Sequence, residues 1–491
     1  MSAEQSQSAT RLFLVSAHNS PVLAPDWLEV PADPNDLAAG VWPATAHRAG
    51  DGQLSLGGIP AGDLAARFGT PVLVLDEADA RARASEAHRA FTSAAEAHGT
   101  TARVYYAGKA FLSVEIARWM LEAGLNVDVC SGGELEVALA AGVPAAQIGF
   151  HGNNKSVPEL VRAVEAGVGS IIVDSDIEIE RLGEITARLG AVQNVLVRVR
   201  SGVHADTHDF LATAHEDQKF GFSLADGEAA ALRIREIDGL NLLGLHCHIG
   251  SQIFGVDGFR ESAQRVLEVH QRLLEGGDVP LLNLGGGFGI AYTRADDATP
   301  IADLASDIVA VVAEACFERG IALPTLAFEP GRAVIGPAGV TLYEVGTTKT
   351  VELDEGARTY ISVDGGMSDN ARPALYGAQY SARLASREGA GEPALSRVVG
   401  IHCESGDIVV DHEYLPDDVG PGDLLAVPVT GAYCAALSSN YNHTPRPPII
   451  AVERGAARLL VRGETIDDLL ARDIAYTTAA ADREVAGEGE E

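Results

Sequence analysis

The sequence predicts an α/β protein: a (β/α)8 TIM-like barrel followed by a C-terminal antiparallel β domain. Three observations carry this reading. From Arg103 onward, short β-branched or aromatic runs alternate with amphipathic Ala/Glu/Arg/Leu stretches, as parallel βα units require. Eight such runs fit into the 230 residues from Arg103 to Arg332, close to the roughly 250 of a closed barrel. Beyond Arg332, strand-like runs follow one another through Gly, Pro and Asp turns, with no convincing helix until "ETIDDLLARD".

In chain order the barrel strands are "RVYYAGK", "NVDVCSG", "IGFHGN", "SIIVDS", "VLVRVR", "LLGLHCHIG", "LLNLGGGFG" and "LAFEPGR". Between them lie helical stretches such as "SVEIARWMLEAG" and "PELVRAVEAG". Their apolar residues recur three or four apart, and a glycine stands where a C-terminal cap belongs. The runs "GVTLYEVGTTKTVEL", "RTYISVDGG", "SRVVGIHCESGD" and "DLLAVPVTGAY" then read as the second domain, and "TPVLVLD" ahead of the first long helix adds a strand to it. The expected division is a barrel over 77–335 and a β domain built from 51–76 and 336–475. An N-terminal extension over 1–50 is expected to be partly disordered, as is the acidic tail over 476–491.

Composition narrows the function. A formal charge of −33 argues against nucleic acid or an anionic membrane as partner, because phosphate would be repelled by most of the surface. No apolar run approaches the roughly 20 residues of a membrane-spanning helix, and "RLFLVSA" lacks the marks of a signal peptide. The expected compartment is the cytoplasm. Five scattered cysteines without a C-x-x-C pair specify neither a disulfide framework nor a zinc site.

Strand ends are where such barrels gather their chemistry. Lys109 ends the first strand, His248 the sixth, Gly285, Gly286, Gly287 and Gly289 the seventh, and Glu329 with Arg332 the eighth. Taken singly, each has a plain structural reading: a snorkelling lysine, a core histidine, a turn, a Glu–Arg pair. His246 and His248 share a strand face, but no further metal ligand can be placed beside them, so no metal is expected. A dinucleotide site is also disfavoured, since the polar loop "AYTRADDATP" separates the glycines from the next helix. Together, a lysine, a phosphate cradle, a carboxylate and an imidazole at one mouth suit pyridoxal 5'-phosphate. Desolvation would leave Lys109 neutral and able to attack an aldehyde, the carboxylate would hold a proton on a pyridine nitrogen, and the glycines would take the phosphate.

The motifs "YYAGKA", "HCHIGSQ", "NLGGGFG", "EPGR", "SVDGGMSDNARPALYGA", "HCESGD" and "TGAYCAALSSNYN" resemble the diaminopimelate decarboxylase family from about Leu56 onward. These are pyridoxal-phosphate enzymes of fold type III, with an alanine racemase-like architecture. The resemblance implies a homodimer with active sites shared across its interface, and a small amino-acid substrate. It makes Lys109 the Schiff-base lysine, His248 the residue stacked on the ring, and Glu329 the partner of the ring nitrogen. Gly286, Gly287, Gly331 and Arg332 join the cradle, with Ser251 as a phosphate contact. Arg332, Arg372, Tyr376, Glu404 and Tyr433 match substrate-binding positions, Tyr433 also approaching the cofactor. Cys403 matches the proton donor, supplied in the family by the other subunit. An ordinary thiol pKa of about 8.5 keeps that proton available at neutral pH, and Glu404 and Asp407 beside it are expected to hold the pKa there or higher.

The non-reacting end of meso-diaminopimelate carries an ammonium and a carboxylate. Arg332 and Arg372 suit the carboxylate, and Glu404 the ammonium. Ornithine would leave both arginines unpaired. The alternative reading is a fold type III decarboxylase of ornithine, arginine or carboxynorspermidine.

Overall fold

In a computed structural model, which describes residues 23–203 and 218–476, the eight runs become eight parallel strands. They are Ala102–Ala107, Asn126–Val129, Ile148–Phe150, Ser170–Val173, Gln193–Arg198, Leu240–His246, Leu281–Asn283 and Thr325–Phe328. They neighbour one another in chain order, and the eighth pairs with the first through Leu326–Ala102 and Phe328–Val104, closing the barrel. The twofold alternation of side chains decides which way each residue faces. Val104 and Tyr106 pack outward into the helix-facing core with Phe91, whereas Tyr105 joins Ile172, Leu196, Leu281 and Ala327 in a separate cluster from the opposite strand face.

The helices start and stop where local chemistry directs. Ser113 accepts from the Ile116 backbone N–H at the head of Val114–Glu122. Ser156 and Glu159 form a reciprocal capping box before Val157–Ala166, which ends at Gly167 in the left-handed conformation. No helix of the described residues is long and apolar enough to cross a membrane.

The second domain is a sheet of nine strands around the long strand Gly339–Leu353. Val72–Asp76 pairs with that strand. The sheet is mixed, where the sequence suggests antiparallel pairing only. Gly356–Val363 runs parallel to Pro393–Val399, and Val72–Asp76 parallel to Ile449–Glu453. Each of these pairs is joined by a long connection, which leaves room for the crossover that a parallel pair needs. The first of these connections carries the short helix Arg372–Tyr376.

Residues 1–22 and 477–491 lie outside the described residues, and with them the start of the expected loose extension and nearly all of the acidic tail. Residues 23–50, the described part of the expected extension, are packed. Val41 and Trp42 are buried in the β-domain core, Leu28 packs on Leu395 and Tyr414, and Arg48 Nη1 donates to the Leu384 carbonyl (2.7 Å). Burying a Trp and a Val offsets the ordering cost of this segment.

Candidate active site

Lys109 sits in a single 3-10 turn, Gly108–Ala110, directly after the first barrel strand. A second lysine shows what a structural one looks like here. The buried Lys155 ammonium donates to Glu178 Oε1 (2.6 Å), the Gly152 carbonyl (2.7 Å) and the Ile172 carbonyl (2.8 Å), which satisfies it. Among the described residues Lys109 Nζ has no such hydrogen bond or ion pair. Its side chain opens into a cavity of about 350 Å³ lined also by His248, Ser251, Gly286, Gly287, Glu329, Gly331, Arg332, Arg372, Tyr376 and Tyr433. Thus all but two of the residues expected at the site share one chamber.

The protonation state of Lys109 corrects the sequence reading. The Lys109 side chain is exposed to this open chamber, yet the surrounding barrel wall desolvates it and pushes its pKa down; Tyr433, Cys130 and Glu329 outweigh that desolvation, and the net direction is up. Without cofactor the amine is therefore an ammonium ion at neutral pH. Proximity to several anionic or ionisable groups, invisible in the linear sequence, decides this.

The glycine turn after the seventh strand could not carry side chains. A Cβ on Gly286 would collide with the Glu329 carbonyl oxygen. Gly287 has φ +102°, and its Cβ would meet the Gly250 carbonyl. The Gly286 backbone N–H donates to His248 Nδ1 (3.2 Å). Burial, aided by Lys109 and Arg198, holds the His248 pKa well below its usual value. The ring is thus neutral with Nδ1 as acceptor, a flat apolar face beside the lysine. Opposite, Arg332 Nη2 donates to Ser251 Oγ (2.9 Å).

Glu329 is surrounded by groups that hold its charge. Asn283 Nδ2 donates to Oε1 (2.8 Å), with His246 Nε2 at 3.1 Å and His151 Nε2 at 3.5 Å from the same oxygen. Burial alone would raise the Glu329 pKa, but His151 and His246 reverse this and bring it well below the usual carboxylate range. Both imidazoles are pushed down to about 4, chiefly by burial, so they are neutral at neutral pH. Asp128 behaves oppositely: burial, then repulsion from Glu329, push its carboxyl well above normal. One ionised carboxylate is thus kept beside a protonated one. Asp128, Cys130, His151 and Arg198 line an adjoining chamber of about 380 Å³ that shares Lys109, His248 and Glu329 with the first. The sequence reading missed these four. Asp128, Cys130, His151 and Arg198 end or follow other barrel strands, which is the signal that could have found them. It also placed no partner beside His246, whereas the fold sets His151 and Glu329 there; the ligand atoms of these three lie within 4.8 Å of one another.

The β domain supplies the other wall. Arg372, from the short helix, is buried and its Nη1 donates to Tyr380 Oη (2.7 Å). Tyr433 has a left-handed backbone (φ 65°), and its N–H donates to the Ala110 carbonyl (2.7 Å), tying it to the turn that bears Lys109.

Cys403 and Glu404 do not line either chamber. They lie exposed on the turn between Pro393–Val399 and Ile408–Pro416. Buried His402 anchors this turn, its Nε2 2.9 Å from Ser368 Oγ, and Tyr441 Oη donates to Glu404 Oε1. Asp407 turns inward, accepting from the Met367 (2.6 Å) and His402 (2.7 Å) backbone N–H groups.

These residues fit a phosphorylated pyridine aldehyde. A cradle closed to any Cβ, an ionised carboxylate deep in the barrel, a flat neutral ring and an otherwise unpartnered amine surround one space. Gly287→Ala is expected to raise the pyridoxal phosphate concentration that half-saturates the apoprotein and to cost about 1–3 kcal/mol of stability through backbone strain. An absorbance titration and a melting curve identical to wild type would contradict the cradle assignment.

Comparisons with known proteins agree. Residues 81–336 match the pyridoxal-binding domain family of the pyridoxal-dependent decarboxylases. Diaminopimelate decarboxylase of Mycobacterium tuberculosis is 52% identical over 447 residues, covering 89% of this chain and 98% of that protein. The Bacillus subtilis enzyme of the same name is 44% identical over 434 residues, covering 87% and 96%. The crystal structure of diaminopimelate decarboxylase from M. jannaschii in complex with L-lysine superposes with a TM-score of 0.81 at 32% identity, covering 88% of this chain and 98% of that one.

Proposed function

The chain belongs to the diaminopimelate decarboxylase family, and we propose that Lys109 holds its cofactor while Arg332 and Arg372 select its substrate. The reaction is the pyridoxal-phosphate-dependent removal of CO2 from meso-2,6-diaminopimelate to yield L-lysine, the last step of lysine biosynthesis. Bound pyridoxal phosphate supplies an aldehyde that condenses with amines and a protonated ring that accepts the electron pair left by departing CO2. The chain's own residues supply the rest. Glu329 would keep a proton on the ring nitrogen, His248 would offer its flat face to the ring, and Gly286, Gly287, Gly331 and Ser251 would hold the phosphate. Lys109 Nζ would be the amine that holds the cofactor's aldehyde carbon. Tyr433 and Tyr376 line the chamber that would take the substrate.

One observation carries the substrate assignment. Two buried guanidiniums, Arg332 and Arg372, face the chamber with no acidic partner among the described residues, and Arg332 Nε has no hydrogen bond. Such a pair suits a carboxylate on the non-reacting end of the substrate.

The remaining parts come from a second copy in this proposal. Cys403 donates a proton from Sγ to the substrate carbon that has lost CO2, and Glu404 receives the distal ammonium. In support, both are exposed and stand outside their own chamber, and Ile401 on the same turn and Tyr441, which bonds Glu404, are exposed apolar side chains, as are Leu375, Tyr376 and Leu437. A second chain would cover that surface. Five free thiols suit a reducing cytoplasm.

The test is a side-by-side assay of the holoenzyme on meso-diaminopimelate and ornithine. Turnover of the first with little or none of the second is expected; faster release of CO2 from ornithine would overturn the substrate assignment.

A further inference from the structure

We infer that Tyr292, in the loop after the seventh barrel strand, is the residue that sets the spacing of Arg332 and Arg372 and thereby builds the site for the distal carboxylate. The inference rests on the reading of these arginines given above and adds a specificity-determining residue to it.

Two like charges buried side by side repel, and here no carboxylate of the described residues relieves them. Aromatic rings do this instead. Arg332 Cζ lies 4.6 Å from the Tyr433 ring centroid and 5.7 Å from that of Tyr292. Arg372 Cζ lies 4.8 Å from Tyr292 and 6.0 Å from Tyr433. Both tyrosines therefore serve both arginines, Tyr433 being nearer to one and Tyr292 to the other. Of these two tyrosines, Tyr292 also holds a guanidinium by a hydrogen bond, since Arg332 Nη1 donates to its hydroxyl oxygen. Its ring meets Tyr380 edge-on at 5.2 Å, and Tyr380 Oη accepts from Arg372. Tyr292 thus touches Arg332, Arg372 and the partner of Arg372.

Its backbone is braced for this. The Tyr292 and Thr293 N–H groups donate to Asp296 Oδ2 (2.9 and 2.8 Å). Two residues earlier, Ile290 is clamped at both backbone groups by the Gln252 amide (3.0 and 3.1 Å). Tyr292 is itself buried. A rigid support of this kind is what precise placement of two forked cations needs.

The experiment compares two diamines on the holoenzyme. L-Lysine keeps a carboxylate beside one amine, whereas cadaverine is the same chain without it. Inhibition constants for both are measured against meso-diaminopimelate in wild type and Tyr292→Phe. The Phe variant keeps the ring stacked on Arg372 and loses only the hydroxyl. Expected are a roughly tenfold weaker binding of lysine, the effect of losing one hydrogen bond to a charged group, and a similar rise in KM for meso-diaminopimelate. Cadaverine binding and kcat should stay within about twofold of wild type. The unchanged cadaverine constant shows that the variant's chamber is intact. A variant that retains the wild-type preference for lysine, or loses affinity for both diamines equally, overturns the inference alone. A wild type that binds lysine and cadaverine equally overturns the arginine reading and this inference with it.

Discussion

Lys109→Ala should reduce turnover at least about a thousandfold, the scale expected when a group that touches the reacting atoms is removed. It should also leave the yellow cofactor easily dialysed away. The loss follows from position, since Lys109 shares one chamber with Glu329, His248 and the glycine turn, and among the described residues its Nζ makes no ion pair that would give it a structural role. Its raised pKa adds a pH dependence. In the cofactor-free protein the amine is protonated at neutral pH, and only the neutral form attacks an aldehyde. Cofactor capture should therefore quicken as pH rises from neutrality towards the Lys109 pKa. Stopped-flow absorbance checks this; a rate independent of pH would show that the ammonium does not form.

Cys403→Ala should lower turnover by about 10²–10⁴-fold while leaving cofactor absorbance and retention unchanged. The separation of effects reflects geometry, because the exposed Cys403 turn lies outside the chamber proposed to bind the cofactor. In a dimer with shared sites, each of these two variants lacks a different half of every site. Mixing inactive Lys109→Ala and Cys403→Ala chains under conditions that exchange subunits should then restore one good site per heterodimer, roughly a quarter of wild-type activity in an equal mixture. Heterodimers that form without activity would contradict the shared site.

The barrel was legible because a twofold strand period and a threefold-to-fourfold helix period alternate cleanly, and because Ser113, Ser156 and Gly167 mark helix ends in the sequence itself. Site residues at strand ends were legible for the same reason. What escaped depends on distance in the chain. Tyr292 stands in a stretch that reads as a polar loop, and only the fold reveals it beneath two arginines. His151 and Asp128 follow or end neighbouring strands with no motif to flag them, yet they surround the carboxylate of Glu329. The protonation of Lys109 was misjudged because burial can be guessed from an apolar run while opposing charges cannot. Parallel pairing in the β domain was hidden because Val72–Asp76 meets Ile449–Glu453 across most of the chain.

In the proposed function Lys109, and no other lysine, bonds the cofactor at the barrel mouth. Reduction of the holoenzyme with borohydride followed by peptide mass mapping tests it most directly. A single pyridoxyl label is expected on the peptide containing "VYYAGKAFL", at Lys109. Label on Lys155 or any other lysine, with Lys109 unmodified, would contradict it.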